Sequence, residues 1–325
     1  MRPFAYSRAG DVGQILAALR EPGTRPIAGG TELVNLLKER IEAPTRLVDI
    51  NALPLAEIHA GADGLRLGAL ARMSDVAAHP SVRDGWPAIA QALEASASPQ
   101  LRNMATMGGN LMQRTRCPYF RADRPLACNK RTPGSGCSAL EGHGRHGAIF
   151  GTSERCIATH PSDLAVALAA LDATVRIAGP GGEHTIALTD LHRLPGEEPQ
   201  RDTTLDPREL IVGIDVPAGP LARRSRYLKV RERASYEFAL VSAGVAVQVR
   251  DGRIERAQIA LGGVAAKPWR LSDAEQRLVG VEIEPAALRA AIEPAFAQVH
   301  LRPDNAFKVA LATRAVVRAL IEVSA

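Results

Sequence analysis

The sequence predicts a mixed α/β chain that ends in a smaller α+β module. Three observations carry that expectation. Strand-like and helix-like patterns interleave between Asp11 and Val216. Beyond Pro217 and Pro220 the strand patterns come first and the helix patterns after, the order of an α+β module. Hydrophobic residues make up 46% of the 325 and charged residues 23%, enough to bury a core in each of two or three domains.

The elements follow in order. Asp11 suits the cap of a helix whose apolar face is Val12, Ile15, Leu16 and Leu19, stopped by Pro22-Gly23. A short strand from Arg25 then turns at Gly29-Gly30 into a helix from Glu32 to Arg40. Adjacent glycines can take positive φ and leave successive N–H groups in one concavity, which suits a pyrophosphate and equally serves as a tight turn. The pattern is not G-x-G-x-x-G, so no nicotinamide-binding Rossmann fold is indicated. Arg46–Ile50 reads as a buried strand, and Asp63-Gly64 joins two hairpin strands. Residues 73–97 read as two helical pieces broken by Pro80 and Pro87. After the stretch 98–163, a helix spans Leu164–Leu171, two strands flank Gly179-Pro180-Gly181-Gly182, and Leu194–Pro207 reads as a surface loop. Glu209–Val216 is a strand. Strands Tyr227–Arg233, Phe238–Arg250 and Arg253–Val264 follow, then helices near 272–279, 285–297 and 305–323.

The net charge of +5 is scattered and lacks interleaved aromatics, which argues against nucleic acid and for an acidic partner or a phosphate-bearing cofactor. No apolar run is long enough to cross a bilayer, and the N-terminus lacks a signal-peptide pattern. The expectation is therefore a chain without its own export signal and without membrane insertion.

All four cysteines, Cys117, Cys128, Cys137 and Cys156, fall between Ser98 and Asp163, separated by ten, eight and eighteen residues. Zinc ribbons pair ligands at two to four residues, and no such pair exists here. Wide spacing in a glycine- and proline-bearing loop suits an object larger than one ion, such as a [4Fe–4S] cube. A zinc site, disulfides and unconnected thiols stay open on these grounds. The loop's Arg114, Arg116, Arg121, Arg124, Lys130 and Arg131 face few local acids and would raise a cluster's potential. His143, His146 and His160 are further possible ligands, though loop histidines are usually solvated.

Read together, Ala28-Gly29-Gly30-Thr31-Glu32-Leu33, Arg102-Asn103-x-Ala105-Thr106-x-Gly108-Gly109-Asn110-Leu111, His160-Pro161-Ser162-Asp163, Tyr227-x-Lys229 and Ala260-Leu261-Gly262-Gly263-Val264 resemble the FAD-binding (medium) subunit of the molybdenum hydroxylase family. That family includes xanthine dehydrogenase, carbon monoxide dehydrogenase and the aldehyde oxidoreductases. The resemblance runs from about residue 3 to about 323. About fifty residues separate Gly109-Asn110 from Ser162-Asp163, where most relatives have few. This insertion is similar to that of periplasmic aldehyde oxidoreductase flavin subunits, which carry an extra [4Fe–4S] cluster.

The resemblance implies a two-part α/β FAD-binding domain of the vanillyl-alcohol-oxidase (PCMH) type over residues 1–220, with a cysteine-bearing insertion at 111–159. A small α+β C-terminal domain of the CO dehydrogenase flavoprotein type would cover 222–325. It implies that Pro26, Ile27, Ala28, Gly29, Gly30, Thr31, Glu32, Leu33 and Val34 wrap the FAD pyrophosphate. Thr106, Gly109 and Asn110 would make a second phosphate and ribityl contact. Asp163, Ile211 and Lys229 would lie about the isoalloxazine, and the four cysteines would ligate the cluster. The implied role is electron transfer within a heterotrimer with a small [2Fe–2S] subunit and a large molybdenum-cofactor subunit. No side chain of this chain would be a chemical catalyst. Export to the periplasm would depend on a partner's signal; without one the complex would stay cytoplasmic. The alternatives are the same subunit in a xanthine- or carbon-monoxide-type enzyme, or a binding module with a structural zinc site.

Overall fold

The computed structural model describes residues 1–325. A small parallel sheet comes first: β1 (Ala5–Arg8), β2 (Thr24–Ile27) and β3 (Arg46–Asp49), in the order β1-β3-β2. Its connection runs through helix Val12–Ala18, whose cap is Asp11, the carboxylate accepting from Gln14 N at 2.8 Å. Ile15 and Leu19 of that segment pack on Val48 and Ile50.

A second, antiparallel sheet holds β4 (Ile58–Gly61), β5 (Gly64–Gly68), β6 (Thr174–Gly179), β7 (Gly182–Ala187) and β8 (Leu210–Val216), ordered β4-β5-β8-β6-β7. Strand β8 lies at its centre and is buried on both faces, as its run of aliphatic residues requires. Three helices, Met73–Ala78, Pro80–Gly85 and Pro87–Ala95, cover this sheet where two were expected. Pro80 and Pro87 each occupy a first helical position, where the missing N–H is not needed, so they start helices.

The third sheet, β9 (Ser225–Val230), β10 (Val241–Arg250), β11 (Arg253–Gly262) and β12 (Trp269–Arg270), is an antiparallel meander ordered β12-β11-β10-β9. β9 stops at Val230, short of the expected Arg233, and β10 begins only at Val241. Between them Tyr236 takes φ +53°, which no strand accommodates. Val241, Ala243, Val245 and Val247 face one way, onto helix Phe307–Ser324 and helix Pro285–Ile292. Ser242, Gly244 and Ala246 face the other way, where helix Asp163–Ala170 lies so close that a Cβ on Gly244 would come 3.0 Å from Val166 O. All eight residues of that helix are buried, so it is the shared wedge between the two halves of the chain.

Other expectations shift in detail. Gly108-Gly109-Asn110 forms the body of a short helix, Met107–Leu111, whose cap Thr106 accepts from Gly109 N through Oγ1. The loop after Leu194 is less superficial than its prolines suggest: Pro195 and Pro199 are buried, and Asp202 binds Arg114 and Lys130 of the cysteine-bearing segment.

Candidate functional site

The glycine turn leads from β2 into helix Leu33–Lys38. Gly29 sits against the backbone of residue 104: a Cβ there would lie 1.8 Å from Met104 O, so only glycine fits. Gly30 takes φ +72°. No carbonyl of the chain accepts from the amides of residues 28 through 33. Six successive N–H groups are therefore left for water or an anion, which is the chemistry of a phosphate nest.

Thr31, Glu32, Gly109, Asn110, Asp163 and Lys229 line one cleft of about 300 Å3 beside this turn. Asn110 is fixed from two sides: its Oδ1 accepts from Ser162 Oγ at 2.5 Å, and its Nδ2 donates to Met73 Sδ. Ser162 also caps helix Asp163–Ala170, accepting from Ala165 N at 3.0 Å. Capping thus belongs to Ser162, and Asp163 is released to face the cleft.

Asp163 is 6% exposed and collects three donors: Ser96 Oγ at 2.9 Å, Lys229 Nζ at 2.7 Å and the hydroxyl of Tyr227. Tyr227 and Lys229 share one side of β9 because strand side chains alternate. Burial, reinforced by the Asp163 charge, holds the Tyr227 phenol well above its ordinary value, so it remains a donor. Lys229 gives a second hydrogen bond to Ala95 O at 3.1 Å. Ser96 was not singled out from sequence, and Tyr227 was named only within the Tyr227-x-Lys229 motif, without a role; the i, i+2 spacing on a strand was the available signal.

The remaining candidates are placed less centrally. Pro26 and Ile27 belong to β2, Ala28 packs beside the Ile15 and Leu19 cluster, and Leu33 and Val34 begin the helix. Ile211 is buried within β8 opposite Ile177, inside the apolar core, and does not line the cleft.

Glu32 turns its carboxylate away from the glycine turn and into the insertion. Its oxygens accept from Arg114 N at 2.9 Å, from Arg116 at 2.6 and 3.2 Å, and from Arg121 at 2.5 Å. Arg121 also reaches Glu39, Arg114 reaches Glu42 and Asp202, and Lys130 reaches Asp202. Four of the six cations that looked unopposed in sequence are therefore paired with acids from elsewhere in the chain, while Arg131 reaches the carbonyls of Phe120 and Ala122. Despite its burial, Asp202 is held below the usual carboxylate range by Lys130 and Arg114. Phe120 is fully buried, with the Arg114 and Arg121 guanidinium groups 4.8 and 5.6 Å from its ring centre.

The four cysteines are free thiols, so the disulfide alternative is not realised. They gather in one neighbourhood. Cys128 and Cys137 face each other across an isolated bridge, Cys117 packs with Cys128, and the charges of Cys117 and Cys137 act on Cys156. Burial pushes the Cys156 thiol up to about 11 and raises that of Cys117. Nowhere do three His, Cys, Asp or Glu side chains converge on a point where one ion could sit.

His143, His146 and His160 line one cleft with Cys117 but converge with it on no single point. His160 and His192 stack with ring centres 4.0 Å apart, and His192 Nε2 lies 2.9 Å from Leu111 O. Burial pushes His192 down to about 4 and His160 well below its usual value, so both are neutral packing groups. A second cleft of about 260 Å3 shares Arg116, Asp163 and Phe238 with the first and reaches Cys117.

Comparison with known proteins agrees with this arrangement. The family described as the FAD binding domain in molybdopterin dehydrogenase matches residues 2–219, and the CO dehydrogenase flavoprotein C-terminal domain matches residues 226–323. The chain is 48% identical to the aldehyde oxidoreductase FAD-binding subunit PaoB of Escherichia coli K12, over 100% of this chain and 99% of that one. It is 26% identical to the carbon monoxide dehydrogenase medium chain of Hydrogenophaga pseudoflava, over 98% and 96% of the two chains. A solved structure of carbon monoxide dehydrogenase from that organism superposes with TM-score 0.74, 25% identity, and coverage of 98% and 96%. Quinoline 2-oxidoreductase from Pseudomonas putida 86 has the same fold, with TM-score 0.76. The free amide nest, the polar floor of the cleft and these matches lead to one conclusion: the chain belongs to the FAD-binding subunits of the molybdenum hydroxylase family of oxidoreductases.

Proposed function

We propose that this chain is the electron-transferring flavin subunit of a molybdenum-containing aldehyde oxidoreductase. It receives electrons from iron–sulfur centres and passes them on to an external acceptor. The likeness to PaoB supports the aldehyde reading over the xanthine and carbon monoxide readings, because it spans the whole chain at 48% identity. The reading places a FAD-binding part at 1–220, interrupted by a cysteine-bearing segment at 111–159, and a C-terminal part at 222–325. The observation that carries the cofactor assignment is the run of free amides 28–33 opening beside the cleft floored by Asp163 and Lys229.

FAD, when bound, supplies the capacity to exchange one or two electrons. The protein's part is to bind and orient. The amides of residues 28–33 would take the pyrophosphate, while Asn110, held by Ser162 and Met73, and Gly109 would flank the chain joining phosphate to ring. Asp163, Tyr227 and Lys229 would present a fixed polar edge, in which burial keeps the Tyr227 phenol a donor. Cys117, Cys128, Cys137 and Cys156 would hold a [4Fe–4S] cluster, a reading that their free thiols and the contacts of Cys128 with Cys137 and Cys117 support. Small [2Fe–2S] and large molybdenum-cofactor subunits would complete the complex. No helix is long and apolar enough to cross a membrane.

Purification of the complex followed by substrate profiling tests this directly. Flavin-dependent oxidation of aldehydes, with xanthine and carbon monoxide inert, is the expected result. A folded complex without flavin, or one turning over only xanthine, contradicts it.

A further inference from the structure

The Glu32 side chain joins the flavin turn to the cysteine segment. Its backbone amide belongs to the free run facing the cleft, while its carboxylate accepts four hydrogen bonds from Arg114, Arg116 and Arg121. Both carboxylate and guanidinium groups are mostly buried, with the Glu32 side chain 15% exposed and that of Arg121 14%. A paired, partly desolvated charge of this kind cannot lose its partner cheaply.

The contacts continue into the insertion on either side. Cys117 follows Arg116 directly, and Cys117 N donates to Thr115 Oγ1 at 3.2 Å. Arg121 Nε donates to Thr115 O at 2.9 Å, which closes the chain from Thr115 to Arg121 into a loop around Phe120. Phe120 packs with Cys117, Cys128 and Leu36, the last on the helix that Glu32 precedes. The Arg116 guanidinium also lies 4.8 Å over the Phe238 ring, across the cleft. The Glu32 carboxylate therefore ties the amide nest to the cysteine segment, beside the Arg121–Glu39 and Arg114–Glu42 pairs farther along.

We propose that Glu32 is a positioning residue that couples the flavin site to the cysteine segment, so that ordering either one orders the other. FAD binding then stiffens residues 114–121, and a disordered cysteine segment weakens FAD. By linkage the two effects are reciprocal. The inference rests on the flavin reading given above, and its extension to the metal rests on the cluster reading.

The test uses the whole complex, stripped of FAD and titrated back, with hydrogen exchange followed over residues 114–121. In the wild type, FAD is expected to slow exchange there. In E32Q, FAD is expected to bind about tenfold more weakly, within the usual range of such coupling, and to leave exchange over 114–121 unchanged at saturation. E275Q removes a similarly buried carboxylate partner of Arg270 in the C-terminal part and serves as the control for plain destabilisation; it should leave both readouts as in the wild type. Protection that survives E32Q would mean that FAD orders the segment by direct contact, and would overturn the proposal. Unchanged FAD affinity in E32Q would also overturn it. Iron is measured in the same samples. A wild type without iron but with Glu32-dependent protection would sink the cluster reading and uphold the coupling, and a wild type that fails to rebind FAD would sink the flavin reading itself.

Discussion

Lys229 donates to Asp163 at 2.7 Å across the junction of the two halves of the chain, and both side chains are more than nine-tenths buried. The pair is anchored from both sides: Asp163 by Ser96 and Tyr227, Lys229 by Ala95 O. A buried pair contributes little net stability compared with an apolar pair, but removing one member strands a charge. D163N and K229M should each lower stability by about 3–5 kcal/mol, and the double substitution by less than their sum. Denaturant unfolding of the four proteins checks this, and additive losses would show that the two groups do not act together.

Gly29 should tolerate no side chain. A Cβ at that position meets the Met104 carbonyl at 1.8 Å, and the backbone on either side is tied into the second sheet's neighbourhood through Arg72, which donates to that same carbonyl and to Asn51. G29A should therefore weaken FAD binding by at least tenfold, because the nest must shift, and cost about 1–3 kcal/mol of stability. G181A, where the added Cβ meets nothing within 4 Å, should change neither. Flavin fluorescence titration separates the two variants.

Lys308 gives a pH dependence with a definite sign. It is 1% exposed, has no carboxylate partner, and donates to Gly147 O at 2.8 Å and Gly263 O at 2.6 Å. Burial, helped by Arg145, pushes it down from 10.5 to about 7. The unfolded chain therefore holds this proton between those values while the folded chain releases it. Stability from this group rises with pH through that window, by at most about 1.4 kcal/mol per pH unit, and its penalty is fully present below pH 7. Wild-type stability measured against K308M should climb from pH 7 to pH 10. Parallel pH profiles for the two proteins would contradict this.

The insertion should depend on its borrowed acids. Asp202 holds both Arg114 and Lys130, which are 14% and 5% exposed. D202N should leave two buried cations underpaired and cost about 3 kcal/mol, with early proteolytic nicking near residues 123–135. Cleavage at the wild-type rate would show that the segment is held by other means.

Much of this was legible in the sequence where local rules are strong. The Asp11 cap, the strand-then-helix order after Pro220 and the Leu164–Leu171 helix all follow from capping chemistry and periodicity. Pro80 and Pro87 misled because a proline that ends one helix also starts the next, and a one-dimensional pattern does not separate the two roles. Thr106 explains why Gly108-Gly109-Asn110 is helical: its cap stabilises a helix that the glycines alone would not form. The motif residues Asn110, Asp163 and Lys229 could be picked out, but not their joining, which depends on Ser242, Gly244 and Ala246 being small enough to admit the buried helix. Glu32 shows the same limit. Its place beside two glycines suggested a phosphate contact, whereas its partners lie more than eighty residues away.

The most direct test of the account is the visible spectrum and iron content of the purified complex, before and after reduction, with the wild-type chain and with C128S. Flavin bands in both, and about four irons per chain lost selectively in C128S, is the result expected for a FAD nest beside a thiolate-held cluster. Flavin with identical iron in both proteins would contradict the role given to the cysteines, and a folded complex without flavin would contradict the account at its centre.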